Sequence, residues 1–276
     1  MKTTINCNGT LIDLQSPKVM GILNLTPDSF FDGGSYTEEQ LALTQVEKML
    51  RDGATFIDVG GYSSKPNAAF VSEEEELARV VHFMQKIKKE FPEAILSVDT
   101  FRAKVAFESV QHGAAIVNDI AAGGLDDQMM ATVAQLQVPY IIMHMKGTPQ
   151  TMQSFTQYDD IIKEMLFYFS EKINEARALG INDLIIDPGF GFSKTLEQNF
   201  QVMQQLELFQ ITKLPLLSGI SRKSMIYKTL NTDAQHSLNG TTTLNTISLM
   251  KGAKILRVHD VKEAVECITL YNQIQS

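Results

Sequence analysis

Short apolar runs that end in a polar residue recur along this chain, each followed by a connection long enough to hold a helix. That alternation leaves few folds open. Residues 19–24 run into Asn24, 55–58 into Asp58, 95–99 into Asp99 and 115–118 into Asn118. Residues 140–144 end on His144, 184–187 on Asp187, 215–218 on Ser218, and 255–259 pass through Arg257 to His259. The runs are apolar throughout rather than alternating, the pattern of strands buried on both faces of a parallel sheet. Helical spacing fills the stretches 38–51, 72–90, 159–179, 196–209, 239–251 and 260–275. Ser72 before a run of glutamates reads as an amino-terminal cap, and Gly180 as a helix stop. Strand–helix alternation repeated about eight times predicts a (β/α)8 barrel. A length of 276 residues suits one such domain over 1–276 with few insertions. The competing architecture, a doubly wound open sheet, would carry a Gly-x-Gly-x-x-Gly turn after its first strand, and none is present. Ahead of the barrel, residues 3–14 hold Asn8-Gly9 between two β-prone runs, the signal of a two-residue hairpin. Such a hairpin can plug the amino-terminal end of the barrel.

In this fold the carboxyl ends of the strands ring one mouth, where active sites form. The polar run-ends therefore converge, and they divide by chemistry. Asp99, Asn118 and Asp187 offer carboxylates and an amide to a flat heterocycle bearing N–H and C=O groups. Lys223, Arg257 and His259 suit phosphate oxygens. The hydroxyl- and carboxylate-rich loop after Asn24 holds Thr26, Pro27 and Asp32; Asn24 and Asp32 suit a Mg2+ ion held largely by water and substrate phosphates. In Gly219-Ile-Ser221-Arg222-Lys223-Ser224 a glycine turn is expected to lead into a helix beginning Ser-Arg-Lys-Ser, an anion site where a carboxylate can dock on Ser224. The loop 187–194 carries two phenylalanines, of which Phe190 or Phe192 could stack on a ring. His144 reads as structural, and the five histidines show no zinc-ligand spacing. A net charge of −8 argues against a nucleic-acid surface. Cys7 and Cys267 read as reduced cysteines of a cytoplasmic protein, and neither a signal peptide nor a membrane-length apolar stretch is found.

Taken together these segments resemble the dihydropteroate synthase family of the folate pathway. The resemblance rests on Met20-Gly-Ile-Leu-Asn-Leu-Thr-Pro-Asp-Ser-Phe30, Asp58-Val-Gly-Gly61, Ser97-Val-Asp-Thr100, Val117-Asn-Asp-Ile120, Met143-His-Met-Lys-Gly147, Asp187-Pro-Gly-Phe-Gly-Phe192, Ser221-Arg-Lys-Ser-Met225 and Arg257-Val-His-Asp260, in the family's order. It implies a homodimeric barrel enzyme that condenses 6-hydroxymethyl-7,8-dihydropterin diphosphate with 4-aminobenzoate. By the same resemblance Asp99, Asn118, Asp187 and Lys223 hold the pterin, with Met143, Phe192 and Gly219 around it. Asn24, Ser64, Arg257 and His259 take the diphosphate, with Mg2+ on Asn24 and Asp32. Thr26, Pro27, Ser64, Lys65, Phe192, Lys223 and Ser224 receive 4-aminobenzoate, and Asp99, Lys223, Arg257 and His259 carry the catalysis. The second loop departs from the family's usual Gly-Gly-Glu-Ser-Thr-Arg-Pro-Gly, reading Gly60-Gly61-Tyr62-Ser63-Ser64-Lys65-Pro66-Asn67. Lys65 keeps the charge of arginine without its bidentate fork. Ser193 stands where glycine is frequent. Two other readings are a methyltetrahydrofolate-dependent methyltransferase on the same barrel and a non-catalytic pterin-binding paralogue. Neither would release diphosphate, and neither needs the intact cationic set.

Overall fold

The computed structural model describes residues 3–25, 35–62 and 70–275. The chain opens with an antiparallel hairpin of β1 (Thr4–Cys7) and β2 (Thr10–Asp13), paired from Thr4–Asp13 to Cys7–Thr10. Its turn residues Asn8 and Gly9 have φ of 49° and 87°, the left-handed values that a two-residue turn of this kind demands. Strands and helices then alternate: β3 (Lys18–Asn24), α1 (Ser35–Arg51), β4 (Phe56–Gly60), α2 (Glu73–Glu90), β5 (Ile95–Asp99) and α3 (Ala103–Gln111). They continue through β6 (Ala114–Asp119), α4 (Met129–Leu136), β7 (Tyr140–Met143), α5 (Ile161–Ala178), β8 (Leu184–Asp187) and α6 (Leu196–Gln204). The last are β9 (Leu217–Ser218), α7 (Ser224–Thr229), α8 (Leu238–Met250), β10 (Ile255–Val258) and α9 (Val261–Gln275). The eight strands β3 to β10 form one parallel sheet in the order β8-β7-β6-β5-β4-β3-β10-β9. A parallel bridge from Ile186 to Leu216, the residue before β9, closes it into the expected barrel.

Two-residue periodicity along the strands builds the interior in layers. Met20, Phe56, Ile116, Ile141, Ile185, Leu217 and Ile255 form one buried cluster near the start of their strands. Ile5, Cys7 and Leu14 of the hairpin segment complete that cluster, so the hairpin does close the amino-terminal end. It is pinned there by Asn6 N–H on Asp183 Oδ2 (2.9 Å) and by Asn8 Nδ2 on the Ala114 carbonyl (3.0 Å). Two positions further along, the same inward face carries Asp58, Asn118, Met143, Asp187, Gly219 and Arg257. The intervening residues Ile57, Val117, Ile142, Ile186 and Leu256 face the helix layer in a larger cluster.

Helix ends follow their capping chemistry. The Ser72 hydroxyl accepts from Glu75 N–H at the start of α2, and the Asp160 carboxylate accepts from Lys163 N–H at the start of α5. Three differences from the sequence expectation stand out. Helices α3 and α4 occupy connections where no helical spacing was legible, whereas α7 is the helix expected after the glycine turn at Gly219. The expected helix 196–209 is divided: α6 stops at Gln204 and a 3-10 turn, Leu206–Thr212, follows. Finally, α7 starts at Ser224 and not at Ser221, because Arg222 takes a left-handed φ of 56° that no helix interior accommodates.

Candidate active site

The centre of the mouth is a carboxylate–guanidinium cluster. Arg257, on β10, donates from Nε to Asp58 Oδ2 (2.6 Å) and from Nη2 to Asp99 Oδ2 (2.5 Å). Asp58 is fully buried and also accepts from Asn118 Nδ2 (2.9 Å). Its Oδ1 is buried with no hydrogen-bond partner among the described residues. Burial would lower the Arg257 pKa, but Asp58 and Asp99 more than offset it and hold the guanidinium charged. Burial pushes Asp99 up, to about 7; Arg257 opposes that shift and the charge of Asp58 adds to it. Gly60 and Gly219 border this cluster: a Cβ on the first would sit in ordinary contact with Asp99 Cβ (3.4 Å), and one on the second with Asp187 Oδ2 (3.6 Å).

Beside it lies the Asp187 loop. The Asp187 carboxylate accepts from Gly189 N–H (2.7 Å) and is raised by burial, with Lys223 pulling the other way. Gly189 has φ of 67°, and a Cβ there would run into the carbonyl oxygen of His144. The Lys223 ammonium donates to the Phe190 carbonyl and lies 4.7 Å from the Phe192 ring centroid. Burial lowers Lys223 to about 8, with Asp187 opposing. The two phenylalanines part company: Phe190 is fully buried in the core, whereas Phe192 is half-buried against the apolar group of Met143, Met145 and Ile120 at the mouth. Phe192 is therefore the ring available for stacking. Ser193 takes φ of 43°, which accounts for the frequency of glycine there; its Oγ accepts from Lys146 N–H (3.0 Å) and its carbonyl from Tyr158 Oη (2.9 Å).

On the far side, His259 follows β10 and is exposed. Its Nδ1 lies 3.1 Å from Ser221 Oγ, and its backbone N–H donates to the same oxygen (3.2 Å). Ser221 therefore orients the imidazole rather than meeting an anion itself. Arg222, expected in the same anion site, turns away. Its Nε and Nη2 pair with Asp260 (2.8 and 2.7 Å), and its Nη1 donates to the carbonyls of Ala234 and Gln235. The left-handed turn at Arg222 separates it from Lys223 and leaves Lys223 and Ser224 on the site side. Ser224 is half-buried at the first position of α7.

Asn24, Asp99, Asn118, Met143, Asp187, Phe192, Gly219, Lys223 and Arg257 thus meet at one mouth, with His259 and Ser224 at its edge. Thr26, Pro27, Asp32, Ser64 and Lys65 lie outside the described residues. Two strand-end residues do not join the site. Ser218 bonds Ser248 on α8 (2.9 Å), because Leu217 takes the inward position on β9. His144 is buried against Tyr168 and Phe169 on α5, and burial together with Lys194 and Lys146 lowers its pKa to about 2. It is a neutral structural histidine, as its sequence context suggested. Sequence reasoning missed the pivotal place of Asp58 and the roles of Ser221 and Lys194. Only Asp58 carried a signal, as an acidic residue inside an apolar strand. Among the described residues no group of three His, Cys, Asp or Glu side chains gathers to hold a metal.

The model of the family "Pterin binding enzyme" matches residues 20–259. The dihydropteroate synthase of Escherichia coli K12 is 45% identical over 262 residues, which cover 94% of this chain and 92% of that protein. Among solved structures, the Yersinia pestis dihydropteroate synthase in complex with a sulfonamide drug superposes with a TM-score of 0.92 at 42% identity, covering 99% of both chains. The Xanthomonas albilineans dihydropteroate synthase with 4-aminobenzoic acid gives a TM-score of 0.93 at 34% identity, covering 100% of this chain and 99% of that one.

Proposed function

Because the chain belongs to the dihydropteroate synthases among the pterin binding enzymes, we infer that it condenses 6-hydroxymethyl-7,8-dihydropterin diphosphate with 4-aminobenzoate, giving 7,8-dihydropteroate and diphosphate. The observation that carries this reading is the polar layer itself. Asp99, Asn118, Asp187, Lys223 and Arg257 surround one mouth, with carboxylates for a heterocycle's N–H groups and cations for a diphosphate.

We assign the roles as follows. Asp99, Asn118 and Asp187 accept from and donate to the pterin edge while Phe192 and Met143 cover its face. Departure of diphosphate leaves positive charge on the exocyclic methylene, delocalised into the reduced ring. Asp99 offsets that charge, and His259 with the N–H groups of Arg257 not engaged by Asp58 and Asp99 takes the leaving anion. Lys223 steadies the pterin against Asp187. The aryl amine then attacks the carbon, its carboxylate held by Ser224, with Thr26, Pro27, Ser64 and Lys65 completing its site. No covalent bond to the protein is needed.

Asn24 supplies a hard amide oxygen at the mouth, and Asp32 a carboxylate on the adjoining loop. Two such ligands fit a Mg2+ that keeps its waters and takes substrate phosphates, not an ion caged wholly by protein. When bound, Mg2+ would neutralise charge on the leaving diphosphate. No helix among the described residues is long and apolar enough to cross a membrane, and we place the enzyme in the cytoplasm. We also propose a homodimer, supported by exposed Met250 on α8 and by exposed Leu270 and Ile274 on the neighbouring α9. The test of the reaction is diphosphate release with dihydropterin diphosphate and Mg2+, with and without 4-aminobenzoate. Amine-dependent release with formation of dihydropteroate is expected. Absence of release from folded protein that still binds the pterin would overturn the reading.

A further inference from the structure

Lys194 is the only buried lysine among the described residues, 4% exposed, and no step of the chemistry uses it. Burial lowers its amine to about 7, against the pull of Asp187. Such a group persists in an interior only where its N–H donors are consumed. Here they are. Lys194 Nζ lies 3.0 Å from the Gly189 carbonyl, 3.0 Å from the Phe192 carbonyl and 3.2 Å from His144 Nδ1, with the His144 carbonyl at 3.5 Å. Neutral His144 is thus an acceptor at Nδ1, and its proton is assigned to Nε2 from that contact.

Two of these acceptors define one turn, since Phe192 N–H donates to the Gly189 carbonyl (3.1 Å). From the other side the turn is held by Asn199 on α6, whose Oδ1 accepts from Gly191 N–H (2.7 Å). The turn presents two things to the mouth: the Phe192 ring and the Phe190 carbonyl, and both are contacts of the Lys223 ammonium. Lys223 is set by the turn, and the turn by the ammonium group beneath it.

We propose that Lys194 is a positioning residue for pterin recognition, holding the Gly189–Phe192 turn so that Phe192 and Lys223 meet the pterin beside Asp187. The inference rests on the assignment of Phe192, Lys223 and Asp187 to the pterin. The experiment compares wild type with Lys194→Met, which keeps an unbranched side chain as far as Cε and removes the donors. Melting temperature and steady-state constants for dihydropterin diphosphate and for 4-aminobenzoate are measured on the full chain. Misplacement of a binding group by about 1 Å costs on the order of 100-fold. The expected result is therefore a rise of about ten-fold or more in KM for the pterin diphosphate, with a smaller rise in KM for 4-aminobenzoate, whose site Phe192 and Lys223 also border. Asn199→Ala, which loosens the same turn without touching a charge, should show the same split, and it carries the test if Lys194→Met does not fold. A purely structural role would lower melting temperature and active fraction, and so kcat, while leaving both KM values unchanged; that result overturns the proposal. Wild-type protein that fails to bind the pterin would bring down the functional reading and this inference together. An active wild type with unchanged KM values in the variants brings down the inference alone.

Discussion

Ser193 shows how one residue can hold a costly conformation. Its φ of 43° lies in the left-handed region, where serine is uncommon and a β-branched residue would be a steric outlier. Ser193→Val should cost about 2 to 4 kcal/mol, combining that strain with the lost bond from Lys146 N–H. Ser193→Gly should stay within about 1 kcal/mol of wild type, because relief of strain offsets the same lost bond. Denaturant melts of the two variants decide it, and equal stabilities would contradict the account. Asp99 carries a pH dependence. Its carboxylate form offsets charge on the pterin, and burial raises it to about 7. As pH falls through that value Asp99 protonates and kcat/KM for the pterin diphosphate should fall. Asp99→Asn should lose this acid limb and drop kcat by about 100-fold or more; an acid limb unchanged in the variant would assign it to another group. Asp99, Asp187 and Arg257 were legible in the sequence because a strand end in a barrel has one destination. Lys194 was not: a lysine after a glycine-rich loop reads as a surface cation, and its burial depends on His144, fifty residues away in the chain. Arg222 was misread for a similar reason, since its partner Asp260 lies beyond β10.

At the level of elements, periodicity found the strands and the long amphipathic helices. It passed over α4 because Met129–Leu136 is apolar on nearly every side; the six residues of α7 carry too little period to detect, and that helix was legible only from the Gly219 turn before it. Helix α3 lacks a side-chain cap of its own; its first N–H, on Ala103, is met by Asp126 from the loop before α4. Tertiary partners of this kind also tie α2 to β5. Fully buried Glu76 accepts from Arg102 Nη1 (2.5 Å) and from Thr100 Oγ1 (2.7 Å), while Arg102 Nη2 donates to the Val71 carbonyl (2.8 Å). The Arg102 guanidinium also lies over the rings of Phe101 and Tyr62, at 5.2 and 5.4 Å. Tyr62, where the family pattern has glutamate, is thereby built into the foundation of the second loop. Removing one member of a buried pair strands the other, so Glu76→Ala should cost about 3 to 5 kcal/mol. Equilibrium unfolding in urea measures it, and a change below about 0.5 kcal/mol would show the pair to be dispensable.

For the whole molecule, pH couples to stability through the groups that burial has shifted. His144 falls from 6.5 to about 2 in the folded chain. The unfolded state therefore binds the extra proton between those values, and the native state loses stability as pH falls below about 6.5, by up to about 1.4 kcal/mol per pH unit. His144→Asn, which keeps an acceptor for Lys194 but cannot titrate, should close the gap to wild type as the pH drops from 7 towards 4.5. Melting temperatures across that range test this, and parallel curves would rule it out. The layered interior has a wider consequence. Phe56 and Asp58, Ile116 and Asn118, Ile185 and Asp187, Ile255 and Arg257 share inward faces two positions apart, so core and catalytic ring are read from one frame. A single-residue insertion or deletion within a strand would turn both outward at once. Lineages of this enzyme can therefore gain and lose residues only between the strands, and length variation in its descendants should collect in the connections while the strands remain fixed in register.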